Sequence, residues 1–469
     1  MSGASRLEPV GKVVTHRWAL GAVPVVRLSA KGGASSCQGC ATVPTGMGRS
    51  TVAVGSAVGT VLSVQGRTEF SMPRSNEEHT GARIARTRRE RGLTQQGLAM
   101  RANVSKSLLS KVECGQKPAS PSLIAACARA LSVTTSDLLG QPYTQELRRE
   151  RLDEVIQPIR VSMENWDIPL DWQVPARPVA LIRADMEKVL VQRRQAEYLP
   201  MAIDLPALID ECVQAIHTTS GEERRQGHEC LAWAFRCVFT LAWSFGYVDL
   251  AAVALQRLAW AAPRADEPGL AAMYGYLRAQ TTLSSSRYDL GMRVVDGTLR
   301  DMAGLDSRNA TGLAAMTGVL QLRAAVIAGR MGDADAVDAR VSEARVLAER
   351  TGETAAYGVG WGPTNVGVHA VAIACDLDEY GQAVELAQGV RFPKGWDRSR
   401  AGHHWLDLGR ANVWTEDADE ALRCLQRARR TAPQQTRYHP TAREAVVTLR
   451  SRDRSRSSEL AEFAQWIGL

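Results

Sequence analysis

The chain has 469 residues, which is long enough for two or three domains with a sizeable core. Its nine cysteines follow no regular spacing, so a disulfide framework is not expected and a reducing, cytoplasmic setting fits best. No apolar run in the sequence reaches the roughly 18 residues that a membrane span requires. A membrane partner is therefore not expected.

The charge is unevenly distributed along the chain. Residues 80–140 hold 10 Lys and Arg against 3 Asp and Glu, whereas residues 141–469 hold 39 against 43. A polyanion such as nucleic acid should therefore meet the short basic segment first.

The chain begins with a long stretch rich in Gly, Ser, Val and Ala, in which no period of 2 or 3.6 persists. We expect residues 1–79 to be a disordered extension, and the functional chain to begin near Met72. The apolar stretch Trp18–Val26 imitates a secretion signal, but the sequence that follows favours an intracellular protein. Cys37 and Cys40 form a C-x-x-C without a partner pair or a neighbouring His, so no metal site is predicted there.

Five short helices are predicted within residues 80–140. Side-chain oxygens that can accept from free N–H groups mark most helix starts, and a glycine suited to left-handed backbone marks the first helix end. These signals are Gly92 after the first helix, Thr94 before the second, Ser105 before the third, Ser120-Pro121 before the fourth, and the capping-box pair Thr134 and Asp137 at the fifth.

The second and third of these helices are separated by only a few polar residues. Their apolar faces can close on each other only if the chain turns sharply, and Asn103 tolerates the left-handed backbone that such a turn uses. The polar residues of the third helix then point away from the core: Ser105, Lys106, Ser107, Ser110 and Lys111. A polar, basic helix of this kind can enter a DNA major groove, which is about 12 Å wide.

This segment resembles the XRE (Cro-repressor-like) helix-turn-helix family, which has the lambda repressor-like fold. Asn103 departs from the glycine that is usual in the family. The shared features lie at Leu93-Thr94-Gln95, Leu98-Ala99, Val104-Ser105, Leu109-Ser110, Glu113, Gly115 and Pro121–Val133.

The resemblance implies binding to double-stranded DNA, with Gln95 on a phosphate and Lys106 opening the recognition helix. It also implies an ion pair between Arg88 and Glu113 that braces the first helix against the third. The residues expected to serve DNA binding are Arg88, Gln95, Ser105, Lys106, Ser107, Ser110 and Lys111. The alternatives are a solvated helix face for the arginines, or a helical domain that does not bind DNA. Because one such module offers a small interface, we expect a homodimer with recognition helices about 34 Å apart.

Residues 141–176 are interpreted as a linker, and residues 177–469 as helix after helix. One stretch resembles the tetratricopeptide pattern W-x₂-L-G … A-x₃-F … P, at Trp405, Leu408, Gly409, Ala421, Leu425, Ala428 and Pro433. Weaker copies place Ala251, Gly291, Val337 and Ala383 in the register of Ala421, 38 to 46 residues apart. The predicted fold is therefore all-α, with a five-helix DNA-binding domain followed by a tetratricopeptide-like α-solenoid. Another α-solenoid or an irregular bundle is the alternative.

A solenoid curves into a concave groove, where a peptide, a small molecule or a protein could bind. Candidate ligand contacts are Arg323, Trp361, Asn365 and Asn412, although the pattern favours a hairpin packing or surface position for each of them. Trp233, Trp243 and Trp260 are expected in the core.

Neither a catalytic motif nor a cofactor motif is found in the sequence. His403 and His404 are adjacent, so on a helix their side chains diverge by about 100° and cannot bind one metal ion together. We therefore predict no enzyme activity and no cofactor. The layout resembles that of regulators in which such a DNA-binding domain precedes tetratricopeptide-like repeats, both the peptide-responsive group and the actinobacterial group. It predicts a sequence-specific transcriptional regulator. The alternatives are a tetratricopeptide adaptor with weak DNA binding, or an antitoxin-like repressor.

Overall fold

The computed structural model describes residues 78–143, 152–305, 310–452 and 457–469. Within these ranges the chain is helical, apart from one isolated antiparallel bridge between Thr354 and Trp361. The predictions for the N-terminal extension, the start near Met72 and the pair Cys37 and Cys40 lie outside the described residues.

Five short helices, together called the head, enclose a small apolar core. They are α1 (Thr80–Glu90), α2 (Gln95–Ala102), α3 (Lys106–Glu113), α4 (Pro121–Leu131) and α5 (Thr135–Leu139). Every capping signal predicted above is confirmed: Thr94, Ser105 and Ser120 accept from backbone N–H groups, Thr134 and Asp137 form a capping box, and Gly92 has a φ of 66°. The cap of α1 is His79, which the sequence did not suggest.

The remaining helices form the body. They are α6 (Leu152–Glu164), α7 (Val179–Arg194), α8 (Tyr198–Thr218), α9 (Gly221–Phe245), α10 (Val248–Ala261), α11 (Pro268–Ser284), α12 (Tyr288–Met302), α13 (Ala310–Met331), α14 (Ala334–Thr351), α15 (Pro363–Asp376), α16 (Tyr380–Ala387), α17 (Arg398–Trp414), α18 (Ala418–Thr431), α19 (Pro433–Tyr438), α20 (Pro440–Arg452) and α21 (Ser458–Ile467).

Six successive pairs, from α7–α8 to α17–α18, are helical hairpins with one shared register. In each hairpin a residue with positive φ makes the turn, at Ala196, Gly246, Ser286, Gly332, Asp378 and Glu416. The fifth residue after each turn is the fourth residue of the second helix, at Met201, Ala251, Gly291, Val337, Ala383 and Ala421. The five positions aligned from the sequence are thus confirmed as equivalent. The sixth, Met201, was not aligned from the sequence.

The body closes on itself, because its last helices return to its first. The Tyr198 hydroxyl of α8 donates to Gln435 of α19 at 3.2 Å. The Phe245 ring at the end of α9 lies 5.2 Å from the ring of Tyr438 and 5.7 Å from that of Tyr198. The last helices therefore pack against the first hairpins, and the side of the hairpin stack on which they meet is called the inner space.

Two expectations about single helices need correction. Helix α13 has 22 residues and is long and apolar enough to cross a membrane, although no such run was expected; 78% of its apolar window is buried inside the protein, as in a core helix. Helix α6 lies within the predicted linker, yet Ile156, Ile159 and Met163 belong to the body core. The charged residues that precede these apolar ones obscured the pattern.

Candidate nucleic-acid interface

The turn between α2 and α3 sets the direction of α3. Asn103 ends α2 with φ 55° and ψ 48°, in the left-handed region. Ser105 then begins α3 by accepting from the Leu108 N–H at 3.1 Å. A Cβ on Gly81 would lie 1.9 Å from the Val112 carbonyl oxygen, so the absence of a side chain lets α1 pack directly on the α3 backbone.

One face of α3 is polar and turned to solvent. Leu109 and Val112 are fully buried in the head core. Lys106, Ser107 and Lys111 are exposed, and Ser110 is half-buried; these four residues recur at helical spacing and share one face. The residues predicted to open and line the recognition helix therefore lie together on a surface that a DNA groove could meet.

A buried ion pair ties α1 to the end of α3. Arg88 donates to both carboxylate oxygens of Glu113 at 2.7 and 2.8 Å, and also to the Leu93 carbonyl. The two side chains are 11% and 4% exposed. Burial opposes the charge on Glu113, but hydrogen bonds from Arg88 and Gln95 outweigh it and lower the pKa of this carboxyl. The predicted Arg88–Glu113 brace is confirmed.

The same network includes Gln95, whose side-chain amide donates to Glu113 at 2.8 Å. Gln95 and Arg88 both point towards α3, so the geometry favours a positioning role for them. Their DNA contacts remain a prediction. The exposed neighbour Gln96, at the start of α2, is a candidate phosphate contact that the sequence reasoning missed.

The surface around α3 is cationic. Glu113 is the one acidic residue on α2 and α3, and Arg88 neutralises it. Several cations on and around these helices are exposed: Arg89, Arg91, Arg101, Lys106, Lys111 and Lys117. A phosphate backbone approaching α3 would thus meet positive charge without a competing free carboxylate on either helix.

The head also contacts the C-terminal part of the body. The Thr80 N–H and hydroxyl both donate to Glu444 of α20, at 2.9 and 2.8 Å. The guanidinium group of Arg443 lies 4.2 Å from the centre of the Tyr143 ring. The start of α1 and the chain that leaves α5 are therefore held by the same helix of the body.

The four candidate ligand contacts of the body lie deeper than expected. Trp361 and Asn365 are completely buried, and Asn412 is buried with its amide donating to the Leu408 carbonyl. Arg323 stacks over the Tyr276 ring, 4.3 Å from its centre. Burial favours packing roles for Trp361 and Asn412. Trp233 is buried as expected, whereas Trp243 and Trp260 pack half-buried against the same core.

Comparisons with known proteins identify the head. A helix-turn-helix domain family matches residues 79–139, so this part of the chain is a helix-turn-helix domain. No curated protein matches the chain.

Two solved structures are similar at a low level. PlcR of Bacillus thuringiensis, in complex with the peptide PapR7 and DNA, is 10% identical with a TM-score of 0.28, over 76% of this chain and 94% of that one. BtubC (BKLC) of P. vanneervenii is 18% identical with a TM-score of 0.27, over 56% of this chain and 92% of that one. At these TM-scores neither likeness extends the helix-turn-helix assignment beyond residues 79–139.

Proposed function

We propose that this protein is a sequence-specific, DNA-binding transcriptional regulator whose body binds a ligand or partner. The observation that carries the proposal is the exposed polar and basic face of α3, presented by a helix-turn-helix domain in which Arg88 and Glu113 hold α3 in place. A cytoplasmic location fits this role.

In this proposal α3 enters the major groove and reads bases from its exposed face. Lys106 and Lys111 donate to guanine O6 and N7, and each good base contact contributes about 1–3 kcal/mol of discrimination. Ser107 and Ser110 can donate or accept. The N-terminus of α2, with Gln96 exposed beside it, and the exposed arginines of α1 bind phosphates, which sets the position on the duplex without reading sequence.

A homodimer completes the proposal, because one small module seldom gives sharp affinity at physiological salt. Two copies of α3 about 34 Å apart would read an inverted repeat. The hydrogen bonds between Thr80 and Glu444 offer a route by which changes in the body could alter the placement of the head.

Replacing Lys106 with alanine should relax the base preference at one position of the binding site, since one base contact is lost while the phosphate contacts remain. We expect the preferred base at that position to lose about 1–3 kcal/mol of discrimination. Selection of bound duplexes from a random library, with wild-type and variant protein side by side, measures this effect.

Lys394→Ala is the matched control, because Lys394 is an exposed lysine of the body. It should select the same sequences as the wild type. If Lys106→Ala also selected the same sequences with the same stringency, the reading role of Lys106 would be rejected.

A further inference from the structure

In five successive hairpins, the first helix brings one polar side chain to the same part of the inner space. These residues are Arg236 of α9, Tyr276 of α11, Arg323 of α13, His369 of α15 and Arg400 of α17. Because the body closes on itself, residues more than 160 positions apart in the chain meet there. We call the three arginines around Tyr276 the inner arginine cluster.

The cluster is centred on the Tyr276 side chain. Arg400 donates to its hydroxyl oxygen at 2.8 Å, and the Arg323 guanidinium lies 4.3 Å from its ring centre. Arg236 is 5% exposed, and its nearest partners are the Met273 sulfur and the Thr240 hydroxyl, each at 3.2 Å. None of these partners carries a carboxylate.

Among the residues that the structure describes, no acidic side chain lies within 4.0 Å of any guanidinium of the cluster. Other arginines of the body are paired, since Arg330 and Arg410 share Asp376. The acid nearest in the chain, Asp397, instead caps α17 by accepting from the Arg400 backbone N–H at 3.0 Å. The charge of Asp397 acts on Arg400 from beyond 4.0 Å, so three guanidinium groups share one carboxylate at longer range. Buried charge that is not closely paired is costly.

Further polar atoms on α13 and α15 are also unsatisfied. Arg323 Nε and both side-chain atoms of Asn365 are buried without a hydrogen-bond partner in the described part of the chain. Asn365 is completely buried and lies one helical turn before His369, whose ring Nδ1 donates to the Asn365 carbonyl at 2.9 Å. Buried native polar groups are rarely left in this state, and a bound group with oxygen atoms would satisfy them.

The positive charge of the cluster lowers the pKa values of two neighbouring side chains. Burial opposes ionisation of Tyr276, but Arg323, Arg400 and Arg236 outweigh it and lower its pKa to about 7. Burial, together with Arg400 and Arg323, lowers the pKa of His369 to about 3, so this imidazole stays neutral and adds no charge. The inner space therefore favours negative charge at neutral pH.

We infer that the inner arginine cluster binds the anionic group, a carboxylate or a phosphate, of a ligand held inside the body. Guanidinium groups bind both oxyanions through paired hydrogen bonds, and the Asn365 amide can donate a further one. Arg323 and Arg400 keep partial solvent exposure, so an ion from solution can reach them. This rests on the ligand-binding part of the proposed function and is independent of DNA binding.

Substitution of a cluster arginine should separate binding from folding. Inorganic phosphate and acetate, each titrated against chloride at constant ionic strength, should raise the Tm of the full-length protein. In Arg323→Gln and Arg400→Gln this rise should be lost, whereas the Tm without added anion should stay equal or increase because repulsion is relieved. Arg345→Gln, at an exposed arginine of α14, should behave as the wild type.

The two anions distinguish the chemistry of the ligand's anionic group. A rise in Tm with phosphate alone assigns a phosphate group, and a rise in Tm with acetate alone assigns a carboxylate. A rise in Tm with both supports a site that both groups share. The inference is overturned if neither anion raises the wild-type Tm, or if the glutamine variants respond as the wild type does. Because no DNA is present, either result leaves DNA recognition by α3 untouched.

Tyr276 supplies a second readout, which is followed in the wild-type protein. We expect tyrosinate absorbance in the near ultraviolet to rise with a midpoint near pH 7, and Tyr276→Phe to remove this transition. Phosphate should move the midpoint upward, because a bound anion neutralises the arginines that stabilise tyrosinate. A transition that is present but unaffected by saturating phosphate and by acetate would contradict binding at the cluster.

Discussion

Replacing Arg88 with methionine should lower the free energy of unfolding of the head by about 3–5 kcal/mol, which is typical when one partner of a buried ion pair is removed. Glu113 would remain buried at 4% side-chain exposure without its main compensating charge. Urea unfolding followed by circular dichroism measures the change. The exposed neighbour Arg89 gives the matched control, and Arg89→Met should change stability by no more than about 0.5 kcal/mol.

The double variant Arg88→Met with Glu113→Leu separates bracing from DNA contact. It should recover most of the lost stability, because no charge is left unpaired. If Arg88 only positions α3, the double variant should also keep most of its affinity for DNA. Recovered folding without recovered DNA binding would instead place Arg88 on a phosphate, and a stable single variant would contradict the brace.

The same ion pair predicts a pH dependence. The pKa of Glu113 is lowered in the folded protein, so its stabilising contribution is present above its ordinary pKa and is lost as the pH falls through the acidic range. The stability difference between wild type and Arg88→Met should therefore narrow as the solution is acidified. A difference that stays constant down to the acid transition would exclude the charge on Glu113 as its cause.

Introducing a methyl group at Gly318 should destabilise the body by roughly 3 kcal/mol, at the upper end of the usual range for overpacking. A Cβ at this position of α13 would lie 1.9 Å from the Trp361 ring. That ring is completely buried, and its Nε1 donates to the Thr351 hydroxyl at 2.8 Å, so it cannot move aside without breaking this hydrogen bond. The measurement is the Tm of Gly318→Ala together with its urea midpoint.

Gly409 in the tetratricopeptide-like stretch is the matched control. A Cβ there would make ordinary contacts of 3.5 Å with Cys424 and Leu425. Gly409→Ala should therefore gain up to about 1 kcal/mol from helix propensity. If both alanine variants shifted stability in the same direction, the close contact between Gly318 and Trp361 would not be the determining feature.

The sequence was most informative where structure is determined locally. Helix caps at Thr94, Ser105 and Thr134 involve residues within one turn, so their spacing alone predicts them. The hairpin register was visible for the same reason, because each turn residue with positive φ stands five positions before a register residue such as Ala251 or Ala421. The exposed face of α3 followed from the position of Leu109 and Val112.

Features that depend on distant parts of the chain were not predictable in the same way. Trp361 and Asn412 were candidates for a groove and lie inside the helix packing, because only the assembled hairpins decide which face is covered. The inner arginine cluster combines α9, α11, α13 and α17, and no local pattern connects these helices. Gln95 and Gln96 are adjacent, and the packing of α1 against α3 decides which one turns inward.

Recognition of base sequence by α3 is tested most directly by competition at one fixed salt concentration. A duplex selected from a random library competes with a scrambled duplex of the same composition for the full-length protein. We predict a preference of about a thousandfold or more for the selected duplex, with a marked loss in the variant Lys106→Ala with Lys111→Ala. Equal affinity for the selected and the scrambled duplex would contradict the account.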